Sequence, residues 1–394
     1  MLSGEDIICF ANDWDADPLS KKHIMTLLAK HNRILWINSI GNRNPTLSNG
    51  DLHRIIKKVF QFVGGLRQVQ QNIWTFTPIL LPFHGSLIAR IFNLYFLTAT
   101  IRLLCLRLGF RNPITWTFVP TSADVVGHLG EKLILYHCVD EYSQFSDASQ
   151  QTIAQIEEKL LRKSDLVIVS ANKLYQTKRS INPKTYLIQH GVDVEHFAQA
   201  CDTSLAIAED IAYLPHPIIG FHGLIASWID LELIEQIARI HPDWSIVLLG
   251  KIQSHDGNRR FDQRLKNIYC LGHQDYTALP SFCKAFDVAI IPFVVNELTL
   301  NANPLKMREY LAAGLPVVST NIPEAQALGK LVSIATDRSD FIHQIEVILT
   351  QDQVGPRLAR SRQMHSESWQ TRVAEISAIV QQHLVSINDN LLSS

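Results

Sequence analysis

The chain has 394 residues, 46% of them hydrophobic and 19% charged, and a formal net charge of −1. This is a globular composition with apolar material for more than one core, so two or three domains are expected. The near-neutral balance removes any global argument for nucleic-acid binding.

The opening stretch MLSGEDIICF has acidic residues ahead of its apolar run and no basic n-region. It is expected to be a first β-strand, IICFA (7–11), and not a signal peptide. The turn after it, FANDWDADPLSKKH (10–23), is polar and acidic and lacks G-x-G-x-x-G, so ordinary dinucleotide binding is not expected there. A helix near 20–31 leads to RILWINS (33–39), and WTFTPILLP (74–82) precedes a long helix near 86–109. ITWTFVP (114–120), LILYHCVD (133–140), a charged helix near 149–163, LVIVSA (166–171) and TYLIQHGVD (185–193) complete a first series. Such strand–helix alternation predicts a parallel sheet covered on both faces.

A second series follows the polar stretch 197–216, where Pro215 and Pro217 break the pattern. IIGFHG (218–223), a helix near 229–240, SIVLLGK (245–251), IYCLG (268–272), a helix near 277–285, VAIIPF (288–293), a helix near 304–313 and PVVST (316–320) repeat the scheme, and 356–388 reads as helix. The expected domains are 1–200, 201–355 and a C-terminal helix within 356–394 that packs back toward the first domain. The expected fold class is α/β, two Rossmann-like domains whose parallel sheets face across a cleft. The site then lies outside the C-terminal ends of the strands.

Charge is uneven along the chain: residues 1–200 hold 21 basic and 16 acidic side chains, and residues 201–394 hold 15 and 21. Residues 52–111 carry eight basic side chains and no acidic one. There, HRIIKKVFQFVGGLRQ (53–68) and SLIARIFNLYFLTATIRLLCLRLGF (86–110) mix apolar residues with Lys and Arg, including Arg90, Arg102 and Arg107, with Arg111 just beyond. Two readings stand, a helix at an anionic membrane surface or a core helix whose arginines reach to water. No uncharged apolar run has the length of a membrane span. The six cysteines (Cys9, Cys105, Cys138, Cys201, Cys270 and Cys283) show no zinc or redox spacing, so reduced cytosolic thiols are expected.

The most informative stretch is NANPLKMREYLAAGLPVVST (301–320). Asn303 suits an N-cap and Pro304 the first helical position. Leu305 to Ala313 continue the helix, Gly314 can end it in the left-handed conformation, and Pro316 blocks its continuation. Lys306 falls in the first turn, where the helix dipole disfavours a cation by roughly a few tenths of a kcal/mol. An anion at the same helix N-terminus explains it, and a nucleotide diphosphate is such an anion. Lys306 would stabilise the charge that builds on a leaving diphosphate. Glu309, three residues on and on the same face, can accept two hydrogen bonds from ribose hydroxyls. The residues alone leave a second reading open, an exposed Lys306–Glu309 pair worth little.

The pattern formed with Pro304, Leu305, Lys306, Glu309, Tyr310, Gly314 and Pro316 resembles the donor-site segment of GT-B glycosyltransferases. The likeness is nearest to the family 4-like group and the exopolysaccharide glucuronosyltransferases of the xanthan type. Family 4 members carry two glutamates eight residues apart in this segment. Glu309 matches the second and Asn301 stands at the first, as in a Pro–Leu–Lys subgroup in which Lys306 is the phosphate partner. HGVDVEHF (190–197) resembles the family's interdomain segment, with His190 where Asn is usual. IIGFHG resembles the first strand and Gly-rich turn of the donor domain, in which Gly223 lets backbone approach the phosphates. LIASWIDLE (224–232) lacks the Arg and Lys that usually follow, which implies that Lys306 carries more of the phosphate charge. LGHQDYTALP (271–280) resembles the loop against the nucleotide base, with His273 and Tyr276 as base neighbours, although surface packing would equally account for either residue. The implied donor set is thus Gly223, His273, Tyr276, Asn301, Asn303, Pro304, Leu305, Lys306 and Glu309. The implied base is uracil, with guanine open.

An inverting transferase needs a general base beside the acceptor hydroxyl. In LILYHCVDEYSQF (133–145), Asp140 and Glu141 stand at the C-terminal end of a buried strand, the functional edge of such a sheet. The segment resembles a Tyr-x-x-Val-Asp-Glu/Asp turn of xanthan-type and teichuronic-type relatives. That likeness implies Asp140 as base and Glu141 in support; a helix-capping acid is the alternative. His137 reads as a satisfied core residue. Asp13, Trp14 and His23 are the acceptor-contact candidates of the first turn, with a simple turn cap as the other reading of Asp13.

The resemblance implies transfer of a sugar from a nucleotide sugar, UDP-linked, to a lipid-linked or oligosaccharide acceptor in cell-surface polysaccharide synthesis. The implied place is the cytoplasm, at the inner face of the plasma membrane, with residues 52–111 on anionic lipid. The nucleotide sugar is a substrate, so no cofactor is expected. No Asp-x-Asp motif stands where a metal-dependent transferase needs one, so metal independence is expected. A nucleotide-sugar epimerase on the same scaffold and a non-enzymatic two-domain binding protein are the competing readings. Retention or inversion stays open.

Overall fold

The computed structural model describes residues 1–38, 62, 64–79, 87–142, 150–253, 261–351 and 357–393. The chain forms two compact units, Met1–Gln189 with Arg372–Ser394, and His190–Thr371.

The first unit is built on strands β1 (Asp6–Phe10), β2 (Arg33–Ile37), β3 (Arg67–Gln70), β4 (Ile73–Phe76), β5 (Ile114–Thr117), β6 (Leu133–Cys138), β7 (Leu166–Val169) and β8 (Thr185–Leu187). They lie in the order β3-β4-β2-β1-β5-β6-β7-β8. All neighbours are parallel except β3 and β4. β1, β5 and β7 are buried along their whole length, as strands covered on both faces must be. β3 has no counterpart in the expected elements. Its sequence RQVQ is polar and mostly exposed, and it pairs through a tight turn in which Asn72 takes φ 63°.

The second unit carries β9 (Ile218–His222), β10 (Ser245–Leu249), β11 (Ile268–Gly272), β12 (Val288–Ile291), β13 (Val317–Thr320) and β14 (Val332–Ala335), in the order β11-β10-β9-β12-β13-β14. Every pairing is parallel. In each sheet the order reverses once, beside β1 and beside β9, and open α/β sheets bind ligands outside the strand ends at such a point. Helices Leu231–Ile240, Leu305–Ala312 and Arg338–Thr350 cover this sheet, with Ile234, Ile237, Met307, Leu311, Phe341 and Ile345 in one core with Phe221, Val247 and Ile290. β14 and the helices Pro323–Ala327 and Arg338–Thr350 lie in a stretch for which no element was expected.

Two expectations need correction. The chain passes between the units at Gln189–His190, ahead of the expected 200/201 boundary. The reason is apolar: Val192, Val194 and Phe197 belong to the core of the second unit. The stretch 356–394 is not one helix but Arg357–Gln363, a 3-10 turn Met364–Glu367 and Trp369–Ser393. It is interrupted by extended Ser368, φ −66° and ψ 154°. The long helix, Leu87–Leu108, has a mean hydropathy of 1.5 and is long and apolar enough to cross a membrane by length and composition, its arginines notwithstanding. One side of it, with Leu97, Ile101, Leu104 and Cys105, is buried against the first sheet. The other side exposes Ile88, Phe92, Tyr95, Leu103 and Leu106. The basic segment 53–68 falls mostly outside the described residues.

The helix Leu305–Ala312 ends as its sequence requires. Leu315 N–H bonds to Tyr310 C=O at 2.9 Å and Gly314 N–H to Leu311 C=O at 3.0 Å, with Gly314 at φ 76°. This is a Schellman closure. A Cβ on Gly314 would stand 2.6 Å from the carbonyl oxygen of Arg357. Gly314→Ala is therefore expected to destabilise the protein by more than about 1 kcal/mol. Urea unfolding with a lowered midpoint and an unchanged slope checks it.

Candidate functional site

In the second unit the strand ends at the sheet's reversal converge on glycine. β9 finishes at His222 and is followed by Gly223 at φ 131°, and β10 is followed by Gly250 at φ 151°. Gly223 N–H donates to Leu249 C=O at 2.7 Å, and Gly250 N–H to Gly272 C=O at 2.6 Å. A Cβ on Gly223 would collide with Cε of Lys306, and one on Gly250 with the Gly223 carbonyl. The Lys306 side chain thus lies across the bare end of β9, a close approach only glycine allows.

Glu309 stands on the same helix, one turn on. Burial pushes its carboxyl up to about 7, against the pull of the Lys306 ammonium. Its Oε2 lies 3.6 Å from Nε2 of His222. Burial, and then the Lys306 charge, push the His222 imidazole down to about 3. Both shifts favour the uncharged forms, so a proton held by the pair sits on Glu309 and not on His222. The His222 ring is held edge-on to Tyr310 with centroids 4.7 Å apart, and stacked on Phe197 at 6.2 Å. Its backbone N–H donates to the Tyr310 hydroxyl at 2.7 Å.

Of the other expected donor residues, Tyr276 joins this neighbourhood. Its ring stacks on His196 at 4.4 Å, and His196 Nε2 lies 2.9 Å from the Tyr276 carbonyl oxygen. His273 is exposed. Asn301 and Asn303 turn inward. Asn301 is buried and donates to the Glu297 carbonyl at 2.6 Å. Asn303 does not cap the helix. Pro304 occupies that position with no side-chain cap, and Leu305 is the first helical residue. The Asn303 Oδ1 instead accepts at 2.8 Å from Nη1 of Arg308, a fully buried guanidinium whose Nε reaches Glu367 at 3.2 Å. A buried charge needs such partners, and meeting that need shapes the loop around Pro304.

In the first unit Asp140 lies just beyond β6, half-buried. Near it, at the sheet's reversal, sits a buried ammonium, Lys21, from the helix Ser20–Leu28. Lys21 Nζ donates to Asn12 Oδ1 at 2.6 Å and to the Tyr142 hydroxyl at 3.3 Å, and that hydroxyl donates to the Phe118 carbonyl at 2.8 Å. Burial lowers the Lys21 pKa, with the Asp140 charge opposing. Glu141 is engaged elsewhere: Lys178 Nζ is 2.8 Å from Glu141 Oε2 and 2.8 Å from Glu157 Oε2, the three side chains being mostly buried. Burial lowers the Lys178 pKa, and Cys138, Glu157 and Glu141 more than offset it. Trp14, expected at the acceptor, is buried edge-on to Trp36 at 5.0 Å, and its backbone N–H donates to Asn38 Oδ1 at 2.9 Å. Asp13 and His23 are half-buried. His137 is a core residue stacked on Phe118 at 4.9 Å, but among the described residues its Nδ1 has no hydrogen-bond partner.

The chain is similar over its length to several solved structures. Sucrose-phosphate synthase from Thermosynechococcus elongatus matches with a TM-score of 0.68 at 13% identity, covering 97% of this chain and 100% of that one. The Anabaena HepE protein in complex with UDP and glucose matches with a TM-score of 0.60 at 12% identity, covering 99% and 98%. The fold is GT-B. Within this GT-B chain, residues 216–351 match the family described as glycosyl transferases group 1. A relative described as the teichuronic acid biosynthesis glycosyltransferase TuaH of Bacillus subtilis (strain 168) is 26% identical over 214 residues, 50% of this chain and 52% of the relative. The match thus spans about half the length of that relative. The family match holds Gly223, Lys306 and Glu309, whereas Asp140 lies outside it.

Lys21, Lys178, His222 and Arg308 escaped the sequence reading. No spacing marks them, because each meets its partner across at least one turn of tertiary structure or from another element. A basic residue inside a short polar stretch was the only trace of Lys21.

Proposed function

We propose that the protein transfers a sugar from a UDP-linked donor to a lipid-linked or polysaccharide acceptor at the cytoplasmic face of a membrane. The observation that carries this reading is the junction of Gly223, Lys306 and Glu309 at the reversal point of the second sheet. A strand end without a Cβ admits a diphosphate. Lys306 and the helix N-terminus balance the charge that builds on it as the sugar bond breaks. Glu309 accepts from the ribose hydroxyls, and His273 and Tyr276 border the base. Asn301 and Asn303 act at one remove, holding the loop through Pro304 and Leu305. The HepE complex with UDP and glucose and the likeness to a teichuronic acid glycosyltransferase support the choice of donor and the polysaccharide setting.

Asp140 takes the proton of the acceptor hydroxyl, and the Lys21 ammonium favours its ionised form. Glu141 holds the turn through Lys178. Asp13 and His23 meet the acceptor, with Trp14 behind them. The reading needs no metal, since Lys306 supplies the positive charge.

The exposed side of the helix Leu87–Leu108 sets Arg102 and Arg107 among Leu103, Leu106 and Tyr95. Apolar residues interleaved with arginine suit the headgroup region of anionic lipid. Phe92→Glu with Leu103→Glu is expected to lower binding to vesicles rich in anionic phospholipid by at least about tenfold. Both side chains are exposed, 52% and 66%, so the fold should survive. Cosedimentation equal to that of the wild type would count against the membrane contact.

Labelled UDP-sugars incubated with the protein and a membrane extract test the whole reading. UDP release that depends on the extract, with label entering the lipid or polymer fraction, supports transfer. Donor binding without turnover favours a binding protein.

A further inference from the structure

His222 is a polar side chain of the donor neighbourhood with a role still to find. It is buried, only 4% exposed, at the last position of β9, and among the described residues its Nε2 has no hydrogen-bond partner. An orphaned buried nitrogen is costly. That nitrogen faces one oxygen of Glu309 at 3.6 Å, a short approach from a hydrogen bond. The ring cannot easily turn away, since Phe197 and Tyr310 hold its faces and edge and the Tyr310 hydroxyl holds its backbone. The geometry is that of a carboxyl and an imidazole arranged to share one proton.

We infer that His222 is a positioning residue for Glu309: its Nε2 takes the carboxyl proton when a nucleotide binds, so that Glu309 meets the ribose as a carboxylate without releasing a proton to solvent. The inference rests on the donor reading above. In the free protein the proton belongs to Glu309, because burial disfavours both charges and Lys306 further disfavours an imidazolium. Burial is the larger cause of the His222 depression and Lys306 the second, and an incoming diphosphate offsets the second while adding a negative charge that favours an imidazolium. Ribose hydroxyls donating to Glu309 favour its ionised form. Neutralising Lys306 also takes away its pull on the Glu309 carboxyl, and the ribose hydrogen bonds replace that pull, so the proton passes from Oε2 to Nε2 and the number of protons on the pair stays at one. The other groups facing the pair are Tyr310 on the same helix, Cys283 on the helix Leu279–Ala285 and Tyr276 beyond β11, behind which lies Asp193. Burial raises the pKa of all three facing groups, so none competes for this proton near neutral pH.

The test is calorimetric titration of the full chain with UDP, and with GDP in parallel. Buffers of different ionisation enthalpy give the number of protons exchanged at pH 6 and pH 8. The wild type measures the nucleotide's own ionisation. His222→Gln keeps hydrogen-bonding atoms but cannot take up the proton, and His222→Phe keeps the ring stacking. At pH 6 both variants are expected to release close to one proton more than the wild type. Their affinity is expected to fall about tenfold more than that of the wild type between pH 8 and pH 6, a purely packing role predicting no such change. Equal proton counts and equal pH slopes in the wild type and in folded His222→Gln would overturn the shared proton while leaving the donor site standing. A wild type that binds neither nucleotide would overturn the donor reading itself, and this inference with it.

Discussion

Replacing Asp140 with asparagine is expected to lower kcat by about 10²–10⁴ while leaving nucleotide affinity within about twofold, the range a positioned general base supplies. The carboxylate lies just beyond β6, near enough to the buried Lys21 ammonium for the two charges to interact. Asparagine keeps the shape and removes the base. It also removes the opposing charge from Lys21, so some stability is lost as well, and urea unfolding must show that the variant is folded under assay conditions. Retention of full activity in folded Asp140→Asn would end its assignment as base. Glu141 provides the contrast: it sits in the pair with Lys178, so its loss should be read in stability before turnover.

Lys306→Ala is expected to weaken UDP binding by about 10–10², the worth of a hydrogen bond to a charged group, with kcat falling as well. Two features make the effect large. LIASWIDLE offers no cation after Gly223, and the Lys306 side chain lies across the bare end of β9. Removing it also opens space above Gly223. Titration of the variant with UDP measures the loss, and unchanged affinity would mean that the anion binds elsewhere.

Much of the architecture was legible because its signals are local. Apolar runs such as IICF, LVIV and VAII announce strands covered on both faces, and Gly314 with Pro316 announces where the Lys306 helix stops. β3 and β14 were not, since RQVQ looks like surface and VSIA, half-buried at its middle and broken by Ser333, lacks a continuous apolar run. The site divides the same way. Lys306 stands out because a cation in a first helical turn is anomalous, but the residues alone leave an exposed Lys306–Glu309 pair open, and it is the resemblance of the segment that implies a donor site. Asn303 was misread as a cap because nothing local shows that Arg308, buried five residues on, would claim its oxygen. Glu141 was read as support for Asp140, but Lys178 is brought to it from 37 positions away. Lys21 and His222 became meaningful only once the sheets set Asn12 beside Tyr142 and the end of β9 beside Glu309.

In a transferase the sugar leaves the nucleotide for another molecule. The direct measurement uses a UDP-sugar labelled in the sugar, the full chain and an acceptor-containing membrane extract, with the label followed through separation of nucleotide, aqueous and lipid or polymer fractions. Transfer predicts label in the lipid or polymer fraction in step with UDP release, lost in both Lys306→Ala and Asp140→Asn. Label that stays on the nucleotide as a changed sugar, with no UDP released, would contradict it and favour epimerisation.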